Sequence, residues 1–241
     1  MASLFISDLH LSPERPGPAG LFRCFLKETA SQADALYILG DLFDAWVGDD
    51  DLGLPFHAEI AAAIKQLSDS GVPVYLLPGN RDFLAGPELA QAAGLTLLPD
   101  PARIDLHGVP TLIAHGDAWC SDDVNYQALR AQVREPDWQR DFLARPLAER
   151  RVMAVALRER SEQAKSGKRP EIMDVNPEAV AGAFRIYGVS RIIHGHTHRP
   201  ARHHHQVDGR DCERWVLPDW YDREGGYLSC SEFGCHTGKI D

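Results

Sequence analysis

The sequence predicts an α/β sandwich carrying a helical insertion, and three observations predict it. Short apolar runs alternate with stretches of helical spacing through residues 4–114 and resume after residue 174. Several of those runs end on a Gly-Asp, Gly-Asn or His-Gly pair, where open α/β sheets place their sites. Between the two halves, residues 122–168 drop the alternation and become polar, arginine-rich and helical in spacing.

Residues 4–6 read as a strand leading to Asp8 and His10, and residues 21–33 carry helical spacing at Leu21, Phe22, Phe25 and Leu26. Residues 35–39 form a strand ending at Gly40-Asp41. Residues 56–70 form a helix with Ile60, Ile64 and Leu67 on one face, closed by Gly71. A strand over 72–77 ends at Gly79-Asn80, a short helix covers 87–93, and strands follow at 95–98, 103–106 and 110–114, the last ending at His115. Pro136, Pro146 and Gly167 divide the insertion into several short helices. Residues 177–187 form a helix with Asn176 as its N-cap, and 191–193 a strand running into Gly195-His196. Segments 215–217 and 227–230 are expected to close the sheet as antiparallel strands, and His203, His204 and His205 to lie in a solvated loop.

At 241 residues the chain suits one domain over 1–241, with the insertion at 122–170 inside it. A hydrophobic content of 44% and a charged content of 25% place it among soluble globular chains, and no apolar run is long enough to span a bilayer. Met1 leads directly into an apolar strand with no basic region or cleavage site, so a cytoplasmic location is expected. Five scattered cysteines suggest reduced thiols and no disulfide framework. The spacing of Cys230, Cys235 and His236 is wrong for the common zinc ribbons.

A net charge of −10 argues against general nucleic-acid binding. Residues 130–170 nevertheless hold eleven Lys/Arg against six acids, a basic island that calls for a local anionic partner. A solvated helical face with i,i+4 pairing is the plain explanation. Interleaved Trp138, Phe142, Val152 and Val155 favour a cap over an acylated, anionic substrate taken from a membrane.

Five blocks carry the chemistry: Asp8-Leu9-His10, Gly40-Asp41, Gly79-Asn80-Arg81-Asp82, His115-Gly116-Asp117 and Gly195-His196-Thr197-His198. Together they offer two Asp, four His and one Asn as metal donors, enough for two divalent cations. Two such cations about 3.5–4 Å apart can clamp a phosphoryl group and generate hydroxide near neutral pH. Asp8 and His10 lie two apart, so an extended strand would send both side chains to the same side. Asp41 follows a glycine that lets the backbone approach closely, leaving its carboxylate free to bridge. Taken singly each block is weak, since surface Asp and His are common and Asp41 could be a helix N-cap. Their joint occurrence in order is what carries the site. Asp82 could support its neighbours from behind.

The pattern D-x-H, G-D, G-N-[HR], H-G and G-H-x-H, in order over residues 8–198, resembles the calcineurin-like metallophosphoesterase superfamily. The resemblance implies that superfamily's β-sandwich flanked by helices, with an inserted helical lid. It implies one metal on Asp8, His10, Asp41 and His198, and a second on Asp41, Asn80, His115 and His196, with Asp41 bridging. Two Mn²⁺ are expected, since mixed carboxylate–imidazole sites accept manganese. Many superfamily members carry a His after the Asn, where it can protonate the leaving group. Arg81 cannot serve as an acid but can fork onto a phosphate. A leaving group that departs as a stable anion therefore suits it, and pyrophosphate cleavage becomes the expected reaction.

The stretch from Gly40 through Trp46 with Gly48-Asp49-Asp50, the run Gly79 to Phe83, His115-Gly116-Asp117 and Ile172-Met173-Asp174-Val175 are similar to the UDP-2,3-diacylglucosamine pyrophosphohydrolase family. That similarity implies water attack on the α-phosphorus of UDP-2,3-diacylglucosamine, giving UMP and 2,3-diacylglucosamine 1-phosphate in lipid A synthesis. It implies Asn80, Arg81, Asp123, Ser161, Lys165, Lys168 and His196 as substrate contacts, with Arg81, Asn80 and His196 in the catalytic role. It also implies peripheral attachment to the cytoplasmic side of the inner membrane. No nucleic-acid or obligate protein partner is expected. Asp44 stands where the family usually has Glu, and Pro218 where it usually has Gly; neither is a ligand position. The competing enzyme is another dimetal phosphodiesterase acting on soluble nucleotides, which has no need of acyl chains. A scaffold that had lost catalysis would have lost ligands, and all seven are present.

Overall fold

The computed structural model describes residues 2–166, 170–222 and 224–240; for residues 160–166 and 170–171 it describes the main chain alone. One sheet runs in the order β11 (Gly234–Ile240), β10 (Gly225–Ser231), β1 (Ser3–Ile6), β2 (Ala35–Ile38), β3 (Val74–Leu76), β4 (Thr96–Leu97). The other runs β5 (Ala102–Leu106), β6 (Val109–Ala114), β7 (Arg191–His194), β9 (Arg210–Val216), β8 (Ala201–Val207). Strands β1 to β4 are mutually parallel, as are β6, β7 and β9, while β10 runs antiparallel to β1.

Helices α1 (Pro16–Glu28), α2 (Pro55–Asp69) and α3 (Pro87–Ala93) join Leu4, Ile6, Leu36 and Ile38 in one core, with Phe22, Phe25, Ile60 and Ile64 from the helices. Phe5, Leu39, Leu77, Ile113, Ile193 and Trp215 form a second core between the sheets. Helix α7 (Pro177–Tyr187) joins Leu112, Ile192 and Val207 in the third. The order is helix, sheet, sheet, helix. Strand β1 is buried along its whole length because Leu4 and Ile6 face the helices while Phe5 faces the other sheet.

Local chemistry explains most element ends. Proline occupies the first turn of α1, α2, α3 and α7, where its missing N–H costs nothing. Asn176 caps α7 by accepting from the Glu178 and Ala179 amides, and Gly188 ends that helix in the left-handed conformation. Helix α1 begins five residues before the expected start, because Pro16 and Pro18 sit where helix starts tolerate them.

Three expectations are corrected. His203, His204 and His205 lie in strand β8, paired with Arg214, Glu213 and Cys212 of β9, because the turn at Asp208-Gly209 folds the two strands together. The tail adds β11 beyond the expected β10. Cys230 and Cys235 face each other across the β10–β11 hairpin with Cα atoms 4.1 Å apart and form a disulfide; Cys24, Cys120 and Cys212 are free.

The insertion forms α4 (Val124–Arg134), α5 (Pro136–Leu143) and α6 (Leu147–Ser166). Its basic island finds its anionic partner inside the chain. Arg130 bonds Asp117 and Asp100, Arg150 bonds Asp50, Arg151 bonds Asp51 and Arg158 bonds Asp44. Arg134 donates to the Gly79 carbonyl at 2.9 Å. Arg140 and Arg145 pair with acids of the insertion itself. Among the described residues, Arg130, Arg134, Arg150, Arg151 and Arg158 thus dock the helices onto the rest of the chain. Among the described residues no helix is long and apolar enough to cross a membrane.

Candidate dimetal site

The loops after β1, β2, β3, β6 and β7 meet at one end of the sandwich. They stay in register past the strands: the Asp8 amide donates to the Gly40 carbonyl, the His10 amide to Asp41 and the Leu11 amide to Leu42. Among the described residues seven non-glycine residues have positive φ, and five of them are Asp8, His10, Asp41, His196 and His198. The other two, His107 and Asp208, sit in tight turns before glycines. Backbone in this region costs on the order of 1–3 kcal/mol per residue and collects at functional sites. The extended-strand expectation for Asp8 and His10 is thus corrected: β1 ends at Ile6, and the two side chains converge through left-handed backbone. Glycine is required at two neighbouring points. A Cβ on Gly79 would collide with the Asp41 carboxylate, and one on Gly195 with Ser7 and Asp8.

All seven expected ligands come together. Asp8, His10 and His198 place donor atoms within 4.8 Å of one another, as do Asp8, Asp41 and His115. His115 Nε2 lies 2.9 Å from Asn80 Oδ1, 3.2 Å from His196 Nδ1 and 3.7 Å from Asp41 Oδ1. Asp41 Oδ2 lies 3.8 Å from His10 Nδ1, so its two oxygens face the two halves of the cluster. Asp8 Oδ1 and His10 Nδ1 are buried without a hydrogen-bond partner.

The titration behaviour fits a cation. Burial pushes the Asp41 carboxyl up to about 7, offset in part by His115 and reinforced by Asp82 and Asp8. Burial opposes the charge on His115 too, but Asp41, Asp8 and Asp117 outweigh it and raise the imidazole to about 9. His198 reaches about 10 against the same burial, because the carboxylates of Asp219, 2.8 Å away, and Asp8, 3.5 Å away, favour its charged form. Burial drives His10 and His196 down to about 3, leaving neutral imidazoles able to coordinate. Crowded buried carboxylates beside neutral imidazoles and an amide oxygen form a donor set suited to hard or borderline divalent ions.

A second layer holds this set in place. Asp82, fully buried, accepts from the Gly79, Leu42 and Asp41 amides at 2.7, 2.8 and 3.3 Å, tying two ligand loops together. His115 Nδ1 bonds the Leu39 carbonyl at 2.9 Å, and Asp219 lies 2.8 Å from His198 Nδ1. Tyr126 of α4 stacks over His196 and donates to Asp117 at 2.7 Å. Sequence reasoning missed Asp219 and Tyr126 as supports. Asp219 adjoins the Pro218 departure that the sequence displayed, whereas nothing local marked Tyr126.

Two cavities meet at the cluster. A polar one of about 370 Å³ contains His10, Asp41, His196 and His198. An apolar one of about 420 Å³ runs beneath the insertion, lined by Trp46, Phe83, Leu84, Trp138, Phe142 and Val155 among others. Asp44, Asn80, Arg81 and Arg158 line both. Of the remaining expected substrate contacts, Asp123 caps α4 by accepting from the Tyr126 amide. Ser161, Lys165 and Lys168 lie outside the residues whose side chains are described.

Comparison with known proteins agrees with this geometry. Residues 1–200 match the calcineurin-like phosphoesterase family. The chain is 53% identical over 230 residues to UDP-2,3-diacylglucosamine hydrolase of Stenotrophomonas maltophilia (strain K279a), covering 92% of each chain. It is 51% identical over 222 residues to the protein of that name from Aromatoleum aromaticum, covering 92% of this chain and 90% of the relative. With the Edwardsiella ictaluri protein of that name the identity is 49% over 241 residues, covering 100% and 92%.

Proposed function

The chain belongs to the calcineurin-like phosphoesterases and, within them, to the UDP-2,3-diacylglucosamine hydrolases, and from that premise we propose that it hydrolyses the pyrophosphate bond of UDP-2,3-diacylglucosamine. The products are UMP and 2,3-diacylglucosamine 1-phosphate, an intermediate of lipid A synthesis. The observation that carries this reading is the meeting of a donor-lined polar cavity and an apolar chamber at Asn80 and Arg81. A phosphate ester with a lipid on one side needs that juxtaposition, and a soluble nucleotide does not.

Asp8, His10, Asp41 and His198 would hold one divalent cation, and Asp41, Asn80, His115 and His196 the other. Manganese suits the mixed donors. Such a pair clamps a phosphoryl group and makes water nucleophilic near neutral pH. Arg81, at the mouth shared by both cavities, places a permanent positive charge beside the bond that breaks. It holds no transferable proton, which matches a phosphate monoester leaving as a stable anion. Asn80 and His196 position the phosphoryl group from the ligand loops. The insertion serves as a lid: α4 is fixed to the ligand loops through Arg130 and Arg134, and α6 to the 44–51 loop through three arginines. Peripheral contact of the lid with the cytoplasmic face of the inner membrane follows from an acylated substrate, and the lid leaves Val124, Val152 and Val155 exposed.

The test is release of UMP from UDP-2,3-diacylglucosamine and from its deacylated analogue, with Mn²⁺ and after chelation. The acylated substrate should turn over at least tenfold faster, and chelation should abolish turnover until Mn²⁺ is restored. Equal rates on the two substrates would reject the lipid reading in favour of a soluble-nucleotide phosphodiesterase.

A further inference from the structure

Hydrolysis at the α-phosphorus divides the substrate into an acylated sugar phosphate and a nucleoside monophosphate. The apolar chamber suits the first half, and the second needs a place of its own. The polar cavity extends to Arg15, Asp219, Trp220 and Tyr221, none of which lines the apolar chamber.

That end of the cavity is built firmly. Trp220 is buried and packs edge-on against Phe22 and Phe25 of α1. Tyr221 and Glu224 exchange amide–carbonyl bonds of 2.9 Å across a tight turn. A Cβ on Gly17 would collide with the Asp222 carbonyl, so the turn lies directly on the start of α1. Arg15 Nη2 donates to the Trp220 carbonyl at 3.3 Å, which fixes its guanidinium beside Tyr221. The Tyr221 hydroxyl bonds Asp219, whose carboxylate lies 2.8 Å from His198. Yet 59% of Tyr221 is exposed. An aromatic ring anchored through its hydroxyl to a ligand-supporting carboxylate, with most of the residue uncovered, is a fixed platform at a set distance from the phosphoryl site.

We propose that Tyr221 and Arg15 form the seat for the nucleoside half of the substrate, a pyrimidine nucleoside monophosphate. The base stacks on the Tyr221 ring, and Arg15 donates to a base carbonyl or a ribose hydroxyl. The assignment rests on the function proposed above and adds where the nucleotide lies.

The experiment is calorimetric titration of UMP into the Mn²⁺-loaded full chain, with product inhibition by UMP and by 2,3-diacylglucosamine 1-phosphate measured separately. Loss of a stacked base costs about tenfold in affinity, so Tyr221→Ala should weaken UMP by about that factor. Tyr221→Phe, which keeps the ring, should stay within about twofold, and Arg15→Ala should weaken UMP by about threefold to tenfold. Inhibition by the acylated product should not change in any of the three. Unchanged UMP affinity in Tyr221→Ala overturns the seat. So does an equal loss in Tyr221→Phe accompanied by lost Mn²⁺, because the residue would then act only through Asp219 and His198. A wild-type chain that binds UMP but fails to cleave UDP-2,3-diacylglucosamine would instead sink the proposed function and leave the seat standing.

Discussion

The floor of the site and the helical insertion above it are held by different forces. In the floor, short loops at strand ends are pinned by main-chain bonds, left-handed residues and one buried carboxylate, Asp82, that gathers three amides. In the insertion, helices are attached by long side chains reaching acids that are distant in sequence, as in Arg150 with Asp50 and Arg151 with Asp51. The floor is rigid because its geometry is written into the backbone. Three of the ion pairs that hold the insertion have one exposed member, which solvent and salt weaken, while Phe142 adds buried apolar contact. The difference suits a site where donor atoms must stay fixed while a lipid enters and leaves.

The strongest way to break this comparison is within the floor. Asp41→Ala removes the carboxylate that faces both halves of the cluster, and turnover should fall by about three orders of magnitude or more. Far-ultraviolet circular dichroism should remain that of the wild type. Near-normal activity would remove Asp41 from the machinery altogether.

Next comes the support beneath the ligands. Burial raises the Asp82 carboxyl above its usual range, although three amides counter that by favouring the ionised form. Asp82→Asn turns part of an all-acceptor group into a donor facing those amides. Mn²⁺ affinity should drop by about 10- to 100-fold, as replacement of groups behind metal ligands commonly does. Titration of Mn²⁺ into the variant measures it, and an unchanged affinity would show that the loops hold themselves.

The smallest effect belongs to the insertion. Arg150 is 3% exposed and bonds both Asp50 and the Val47 carbonyl. Arg150→Ala should cost about 1–3 kcal/mol in stability, read by denaturant unfolding, because a buried carbonyl loses its donor. Mn²⁺ affinity should stay at the wild-type value while KM for the acylated substrate rises. If the metal were lost as well, floor and insertion would not be separable.

How legible each region was in the sequence follows from the same contrast. The residues that cluster could be named because Asp8, His10, Asp41, Asn80, His115, His196 and His198 sit beside glycines or at fixed two-residue spacings, and such backbone constraints are local. The left-handed conformation of five of them was not legible, since Asp and His permit it without requiring it. The histidine run at 203–205 looked like a loop because its polar residues hide a strand defined only by pairing with β9. The disulfide of Cys230 and Cys235 likewise depends on a hairpin register that five-residue spacing does not dictate.

By itself the sequence determined the alternating α/β order, the clustering candidates for seven metal donors and the presence of a basic, aromatic-bearing insertion. These rest on periodicity, glycine placement and composition, which act over a few residues. Tertiary structure alone decided where the arginines of that insertion point. Arg130, Arg150, Arg151 and Arg158 turn inward to Asp44, Asp50, Asp51, Asp100 and Asp117, because docked helices bring together charges as many as 114 residues apart. It decided too that Asn80 and Arg81 stand where a polar and an apolar cavity join, and that Tyr221 lines the polar one. A cavity belongs to no segment; it is the space several segments leave when each has buried its own apolar face.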